Sequence, residues 1–333
     1  MSERPDLDEH AVEIDRYGGP EELVWRAVRR APLGDDEVRI RTLFAAVNRA
    51  DIEIRRGEWP IARDDPFPYT PGLEVVGVVD EVGAAVAPAA VAAGDHAITM
   101  MQRLGGIWGE RPGGYGEFVV VRADAVATFA ADVDAEQIAA LGLAAVTAAE
   151  GLARLALAPG TRVVVHGASG GVGSAAVAFA AARGAEVVAV LPRAGKDDYV
   201  RELGAAQVVH LDEAQALGPR SVDAVLETTG ARTFSDSVAI LRRGGRLCLV
   251  GALTGPHLTL SAWDLIQELE LTGWSSENLT GDELRRDIAA IVELVREHRL
   301  PAPAIERFAL ADAARAHRRI EAGELKGRAL LVP

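Results

Sequence analysis

The sequence predicts an α/β protein of two domains: a β-rich, barrel-like domain and a doubly wound parallel-sheet domain. Three features of the chain carry this expectation. Its 333 residues are enough for about two domains. Up to about Ala125, short apolar runs are punctuated by glycine and proline, the texture of antiparallel β structure. From about Asp134, strand-like runs alternate with helix-like segments, as parallel sheets with helices on both faces require.

In the first region the strand candidates are EVRIRTLFAAV, PGLEVVGVVDEVG, GDHAITM and GGYGEFVVV. Two long loops, Arg56 to Tyr69 and Met100 to Gly114, interrupt them, and loops of that length in a compact domain often carry function. In the second region the strands are Arg162–His166, Glu186–Leu191, Gln207–His210, Val222–Glu227 and Arg246–Val250. Between them lie helix-like segments Ser174–Arg183, Lys196–Leu203 and Phe234–Leu241, with Gly184 and Gly204 where C-caps belong. Near Gly281 a helical spacing of Leu284, Ile288, Ile291, Val292 and Val295 begins, a second helix covers Ala311–Ala322, and the last strand RALLVP returns to the first domain. The expected boundaries are 1–130 with 280–333 for the first domain and 131–279 for the second.

The formal net charge of -14 repels anionic polymers, so nucleic acid and acidic membranes are not expected partners. A single cysteine, Cys248, forms neither an internal disulfide nor a four-cysteine zinc site. The segment MSERPDLDEHAVEID lacks the apolar core of a signal peptide, and no apolar run reaches the roughly 18–20 residues that span a bilayer. The expected setting is cytoplasmic.

The stretch VVVHGASGGVGSAAVAFAAARG reads as a buried strand, a glycine turn and a helix. Within it, Ala168-x-Gly170-x-x-Gly173 is a variant of the dinucleotide fingerprint. Gly170 lets the backbone approach a pyrophosphate, Gly173 lets helix and strand pack closely, and the helix N-terminal N–H groups hold the anion. A site for NAD usually carries an acid at the end of the second strand, about 20 residues on, for the ribose hydroxyls. Here EVVAVL runs into Pro192, Arg193 and Lys196, two cations suited to a 2′-phosphate, so NADPH is the expected cofactor. Asp197 and Asp198 are expected to face water.

The stretches RYGGPEELVWR, AAVNRADIEIRRGEWP, PGLEVVGVVDEVGAAV, GGYGEFVVV, VTAAEGL, HGASGGVGSAAV, ETTG, GGRLCLVGALTG and LKGRALLV together resemble the medium-chain dehydrogenase/reductase superfamily, in its zinc-independent quinone oxidoreductase (zeta-crystallin-like) branch. The resemblance covers nearly the whole chain. It implies a GroES-like substrate domain, a Rossmann NADPH-binding domain, a cleft between them, and a homodimer formed by late Rossmann strands around Arg246–Leu260. It also implies that Asn48 and Thr147 sit by the nicotinamide and that Ser169, Gly170, Gly171 and Val172 line the pyrophosphate. Thr229 and Gly230 would lie beside the cofactor. Gly251, Ala252, Leu253 and Trp274 would approach the nicotinamide, and Arg328 would reach the cofactor from the last strand. Asn48 also has a plain reading, as a turn residue bonding its own backbone.

The departures from the family pattern are informative. Leu73 stands where the zinc-dependent alcohol dehydrogenases have histidine, Cys248 lies in a Rossmann strand, and the histidines show no ligand spacing, so no metal is expected. Arg56-Gly57-Glu58-Trp59-Pro60 has tryptophan where enoyl reductases carry tyrosine, and indole supplies no proton. Trp59, Met100, Trp108 and Trp274 are candidates for a pocket that takes a planar, apolar substrate, although packing within the protein would equally explain them. The expected reaction is hydride transfer from NADPH to a quinone or other α,β-unsaturated carbonyl compound, with Asn48 or a backbone N–H stabilising the oxyanion. Tyr69 and Tyr115 read as structural strand positions. The alternatives are a 2-enoyl thioester reductase of lipid or polyketide metabolism, a non-catalytic NADPH-binding protein, and a specialised biosynthetic reductase.

Overall fold

The structure is a computed structural model, and it describes residues 9–333 except 60, 63, 102–103, 105–110 and 326, with backbone only at 214–216. In chain order the strands and helices are β1 (Glu9–Glu13), β2 (Val24–Val28), β3 (Glu37–Ala46), α1 (Arg49–Arg56), β4 (Glu74–Val82), β5 (His96–Met100), β6 (Phe118–Arg122), β7 (Ala127–Phe129) and α2 (Ala135–Ala153). There follow β8 (Arg162–His166), α3 (Gly171–Ala182), β9 (Glu186–Leu191), α4 (Asp197–Glu202), β10 (Gln207–His210), β11 (Val222–Glu227), α5 (Ala231–Ala239) and β12 (Leu241–Leu249). The chain ends with α6 (Ala262–Leu265), β13 (Glu270–Gly273), α7 (Gly281–Arg296), β14 (Ile305–Ala309), α8 (Ala313–Glu321) and β15 (Arg328–Val332).

Two compact units result: Met1–Gly142 with Glu277–Val292 and Ala302–Pro333, and Leu143–Ser276 with Glu293–Pro301. Residues 131–142 and 277–279 thus belong to the first unit and 293–301 to the second, which differs from the boundaries expected from sequence. The first shift has its cause in Gly142, whose non-helical backbone breaks α2 in mid-course. The shift at 293–301 lies around and past the end of α7, where Arg299 Nη2 donates to Ala182 O of α3 at 3.3 Å. No helix among the described residues is long and apolar enough to cross a membrane.

The first unit holds a two-stranded sheet, β1 with β2, and a seven-stranded sheet of order β14-β15-β3-β4-β5-β7, with β6 also on β3. Strand β15 does return to this unit. It runs antiparallel to β3, with Leu330 opposite Ala46, and parallel to β14. That pairing brings the C-terminal strand beside the start of α1, which positions the polar cluster described below.

The second unit is a six-stranded sheet of order β10-β9-β8-β11-β12-β13, parallel at every pairing. Strand order reverses between β8 and β11, the place where such sheets bind ligands beyond the strands' carboxyl ends. Val163, Val164 and Val165 of β8 are each 0% exposed, as a central parallel strand covered on both faces demands. Every residue from Gly173 to Ala180 in α3 is buried, which its alanine-rich composition allows by keeping the helix surface smooth. Gly184 and Gly204 take φ of 77° and 106° just past α3 and α4, left-handed positions that favour glycine.

The close seat of α3 on β8 depends on Gly173. A Cβ there would fall on the Gly167 carbonyl and 2.7 Å from Ala168 Cα, both backbone atoms with no freedom to retreat. Gly173→Ala is therefore expected to lower the unfolding free energy by about 1–3 kcal/mol, measured by urea denaturation.

Candidate active site

The turn after β8 is built to receive an anion. Gly167 has φ 62°, and a Cβ on it would meet Thr228 Oγ1 at 2.5 Å. Gly170 caps α3, and the first helical bond runs from Ser174 N to Gly170 O at 2.9 Å. The N–H groups of Gly171, Val172 and Gly173 therefore have no acceptor within the helix. No acid stands in the first turn of α3 to compete for a negative ligand. A Cβ on Gly170 would meet only Gly167 O, at 3.3 Å, so the space over this turn is open to a phosphate. Ser169, Gly171 and Val172 are half-buried around it.

Past the end of β9, Arg193 and Lys196 are exposed, and neither makes an ion pair among the described residues. Desolvation by its surroundings and the neighbouring Arg193 charge draw the Lys196 ammonium below its ordinary value. Asp198 is exposed as expected. Asp197 is instead half-buried: it accepts from Gly195 N and meets His210 Nε2, each at 3.0 Å, and is drawn away from facing water by that pairing.

On the other side of the reversal, the loop after β11 is organised by Glu227, which is 0% exposed. Its carboxylate accepts from Thr229 N at 2.8 Å, Gly230 N at 3.2 Å and Ser237 Oγ at 2.6 Å. Burial alone would raise its pKa, but the His166 ring and these donors outweigh burial and hold the carboxyl below the ordinary range. His166 itself is driven toward neutrality by burial, so the hydroxyl and amide donors carry the stabilisation. Thr254 N and Oγ1 both donate to Thr229 O, at 2.7 and 2.8 Å, which ties Gly251, Ala252 and Leu253 to the same edge. A Cβ on Gly251 would lie 2.5 Å from Thr228 O, so the two loops touch backbone to backbone.

In the first unit the expected site residues Asn48 and Arg328 do meet. Arg328 Nη2 donates to Asn48 Oδ1 at 2.9 Å, and Asn48 Nδ2 donates to Glu74 Oε2 at 3.0 Å and to Ala46 O at 3.4 Å. Arg328 Nη2 lies 3.6 Å from Glu74 Oε2. Both amide hydrogens of Asn48 are thus engaged, and the oxyanion-donor role expected of it finds no free N–H in this arrangement. Its side chain is not turned back on its own turn alone but bridges a carboxylate and a guanidinium. Glu74, 0% exposed, is accommodated by Gly142, where any Cβ would fall on its carboxylate.

Beneath this cluster lies Asp51, 1% exposed, accepting from Asn48 N at 2.7 Å and Leu73 N at 3.0 Å. Burial pushes its carboxyl up to about 7, against the opposing pull of the Asn48 and Leu73 amides, and Glu74 adds to the rise. The spacing Asn48-x-x-Asp51 is a capping signal that the sequence carries openly. Gly142 had no such signal, because its partner Glu74 lies elsewhere in the chain, whereas the partners of Glu227 begin two residues on at Thr229.

The tryptophan and methionine expectations fare unevenly. Met100 is the last residue of β5 and 0% exposed, a core side chain rather than a pocket wall, because it faces inward at the strand end opposite Glu74. Trp59 is half-buried just past α1. Trp108 lies outside the described residues. Trp274 is half-buried with the Arg154 guanidinium 5.7 Å over its ring, so one ring face is already taken. Thr147 spends its hydroxyl hydrogen on Leu143 O at 2.8 Å and keeps only lone pairs to offer. Strand β12 is paired on both sides, by β11 and β13, so the strand around Arg246 is interior and the sheet edge on that side is β13.

A parallel sheet of this order, with a glycine turn at its reversal and a separate β unit, defines a dinucleotide-dependent dehydrogenase or reductase. Residues 34–131 match the alcohol dehydrogenase GroES-like domain, and residues 171–294 match the zinc-binding dehydrogenase family. The quinone oxidoreductase of Homo sapiens is 31% identical over 251 residues, 73% of this chain and 73% of its own. The chloroplastic NADPH-dependent alkenal/one oxidoreductase of Arabidopsis thaliana is 31% identical over 260 residues, 76% of this chain and 66% of its own. The crystal structure of Escherichia coli quinone oxidoreductase complexed with NADPH superposes with a TM-score of 0.86 at 26% identity, covering 97% of this chain and 100% of that one. The chain belongs to the medium-chain dehydrogenase/reductase superfamily, in the quinone oxidoreductase family.

The raised Asp51 pKa has a definite sign in stability. A carboxyl ordinarily near 3.8 and held at about 7 in the fold favours the folded state most below pH ~4, and that contribution is lost as pH rises through about 7. The stability of the native chain relative to Asp51→Asn should therefore fall between about pH 4 and pH 7 by up to roughly 4 kcal/mol and then level off, as read from denaturation curves across pH.

Proposed function

We propose that this chain is an NADPH-dependent reductase of quinones and other α,β-unsaturated carbonyl compounds that works without a catalytic zinc. The observation that carries the cofactor assignment is the Arg193–Lys196 couple past β9, without an ion pair among the described residues and in the same unit as the open glycine turn. The turn's free N–H groups would hold the pyrophosphate and the two cations the 2′-phosphate. An acid at the strand end would repel that phosphate, and none stands there. NADPH, when bound, supplies the hydride. The chain's residues bind and orient it: Thr147 offers acceptor lone pairs, and the Glu227-braced loop presents Thr229 and Gly230. Leu73 offers no ligand atom where zinc enzymes of the superfamily have histidine, and Asn48 is committed to Glu74 and Arg328. With Trp59 unable to give a proton, the reduced product takes its proton from water.

The same reading includes a homodimer. Strand β13 leaves a sheet edge open, and the segment before it exposes Leu258, Leu260, Trp263, Leu265 and Ile266, with Trp263 at 76%. An open edge beside a contiguous apolar patch suits a second copy of the same sheet.

The assignment is tested by NADPH oxidation with 1,4-benzoquinone, a 2-alkenal and a crotonyl thioester, with chelator added. Turnover of the first two, undiminished by chelator, is the expected result; thioester turnover alone would replace the substrate class. Arg193→Ala with Lys196→Ala should weaken NADPH binding about ten-fold or more and leave NADH binding within about two-fold, by fluorescence titration. An equal loss for both cofactors would remove the 2′-phosphate assignment. Trp263→Glu should turn the dimer into a monomer in sedimentation velocity.

A further inference from the structure

The turn that leaves β9 carries acids as well as cations, and the acids bear on which dinucleotide it takes. Arg193 and Lys196 are exposed and make no ion pair among the described residues. Asp197 and Asp198 follow Lys196 directly. Acids and cations set this close together on a surface turn can pair with one another. Here both acids are engaged elsewhere. Asp198 Oδ1 accepts from Arg201 Nη1 at 3.2 Å, one turn along α4. Asp197 Oδ2 accepts from Gly195 N, and its Oδ1 meets His210 Nε2, each at 3.0 Å. One oxygen of Asp197 is thus held by the turn itself and the other by a side chain from the neighbouring strand.

The sheet puts His210 in this place. It is the last residue of β10 and lies opposite Leu191, the last residue of β9. The ring therefore stands beside the start of the 192–196 turn. The Gly195 amide holds the Asp197 carboxyl below the ordinary range, and His210 adds to that effect against the opposing pull of desolvation. Asp197 is therefore ionised at neutral pH and can only accept, so His210 Nε2 carries the hydrogen. This is true of the neutral ring and of the charged ring alike. Glu213 Oε2 lies 3.6 Å from the other ring nitrogen, Nδ1, and does not compete for Nε2.

The hydrogen bond fixes the charge that the turn presents. A Cβ on Gly195 would meet nothing within 4 Å beyond its chain neighbours, so the turn faces open space. An Asp197 released from His210 could turn toward Lys196 or Arg193 and cancel a cation. In that position it would repel a 2′-phosphate, while its oxygens would suit the 2′-hydroxyl of an unphosphorylated ribose.

We propose that His210 is a specificity-determining residue: by holding Asp197 it keeps a carboxylate out of the Arg193–Lys196 couple, and so sets the preference for a 2′-phosphorylated over an unphosphorylated dinucleotide. The inference rests on the 2′-phosphate role proposed above for those two cations. His210 acts through Asp197, as a positioning residue.

Fluorescence titration of the full chain with NADPH and with NADH reads the preference as a ratio of Kd values. His210→Phe keeps a ring of similar size without an N–H, and His210→Leu stands in if that variant does not fold. Either should weaken NADPH binding about three- to five-fold and leave NADH binding within about two-fold or tighter. A double-mutant cycle separates positioning from folding. Asp197→Asn removes the carboxylate charge, so adding His210→Phe to it should change NADPH binding by less than about 1.5-fold, a coupling that a histidine needed only for the fold would not show. A loss equal for the two dinucleotides, an unchanged ratio, or a His210→Phe loss that persists undiminished beside Asp197→Asn overturns the proposal. The paired Arg193→Ala and Lys196→Ala variant, titrated alongside, tells two failures apart. If it discriminates between the dinucleotides and the His210 variants do not, this inference alone falls. If it weakens both dinucleotides equally, the 2′-phosphate assignment falls and takes this inference with it.

Discussion

A carboxylate with no exposure to water, Glu74, sets the terms for the first unit. A buried charge is tolerated only when it is paired and hydrogen-bonded. Three distant parts of the chain meet that demand. The start of α1 brings Asn48, the C-terminal strand β15 brings Arg328, and α2 breaks at Gly142 to leave room for the carboxyl group. The antiparallel pairing of β15 with β3 is what carries Arg328 to this place, so the return of the last strand serves the cluster as well as the sheet.

The second unit is governed by a different constraint, the approach of backbone to backbone. Gly173 lies against the Gly167 carbonyl, and Gly251 against that of Thr228. These contacts seat α3 on the turn after β8 and the end of β12 on that of β11, while Thr228 Oγ1 donates to His166 O at 2.7 Å across β8 and β11. Glu227 complements this by satisfying four N–H and hydroxyl donors from within, and Thr254 holds the loop after β11 from outside. On the function proposed here, affinity for an anionic cofactor would come from peptide groups and two surface cations.

The chemistry follows from this division. The residues that would recognise the cofactor are mostly backbone, and the expected site side chains of each unit are already committed to neighbours within that unit. Asn48 has no spare hydrogen, Thr147 only lone pairs, and Trp274 has one ring face under Arg154. Such a set suits a reaction in which the cofactor does the chemistry and the protein orients it, and it suits poorly a mechanism that needs a protein acid.

Much of this was legible in the sequence because it is local. The β8–turn–α3 unit, the strand limits of β8 to β11 and the cations after β9 depend on neighbours within a few residues, where propensity and glycine geometry act directly. Even the capping pair Asn48 and Asp51 could be read from its spacing. The inward turn of Met100, the interior place of β12, the service of Gly142 to Glu74, and the joining of Tyr115 to His317 across 202 positions could not. Those features exist only once strands choose partners and charges lose water. Burial and long-range hydrogen bonding are properties of the packed chain, and no short window of sequence contains them.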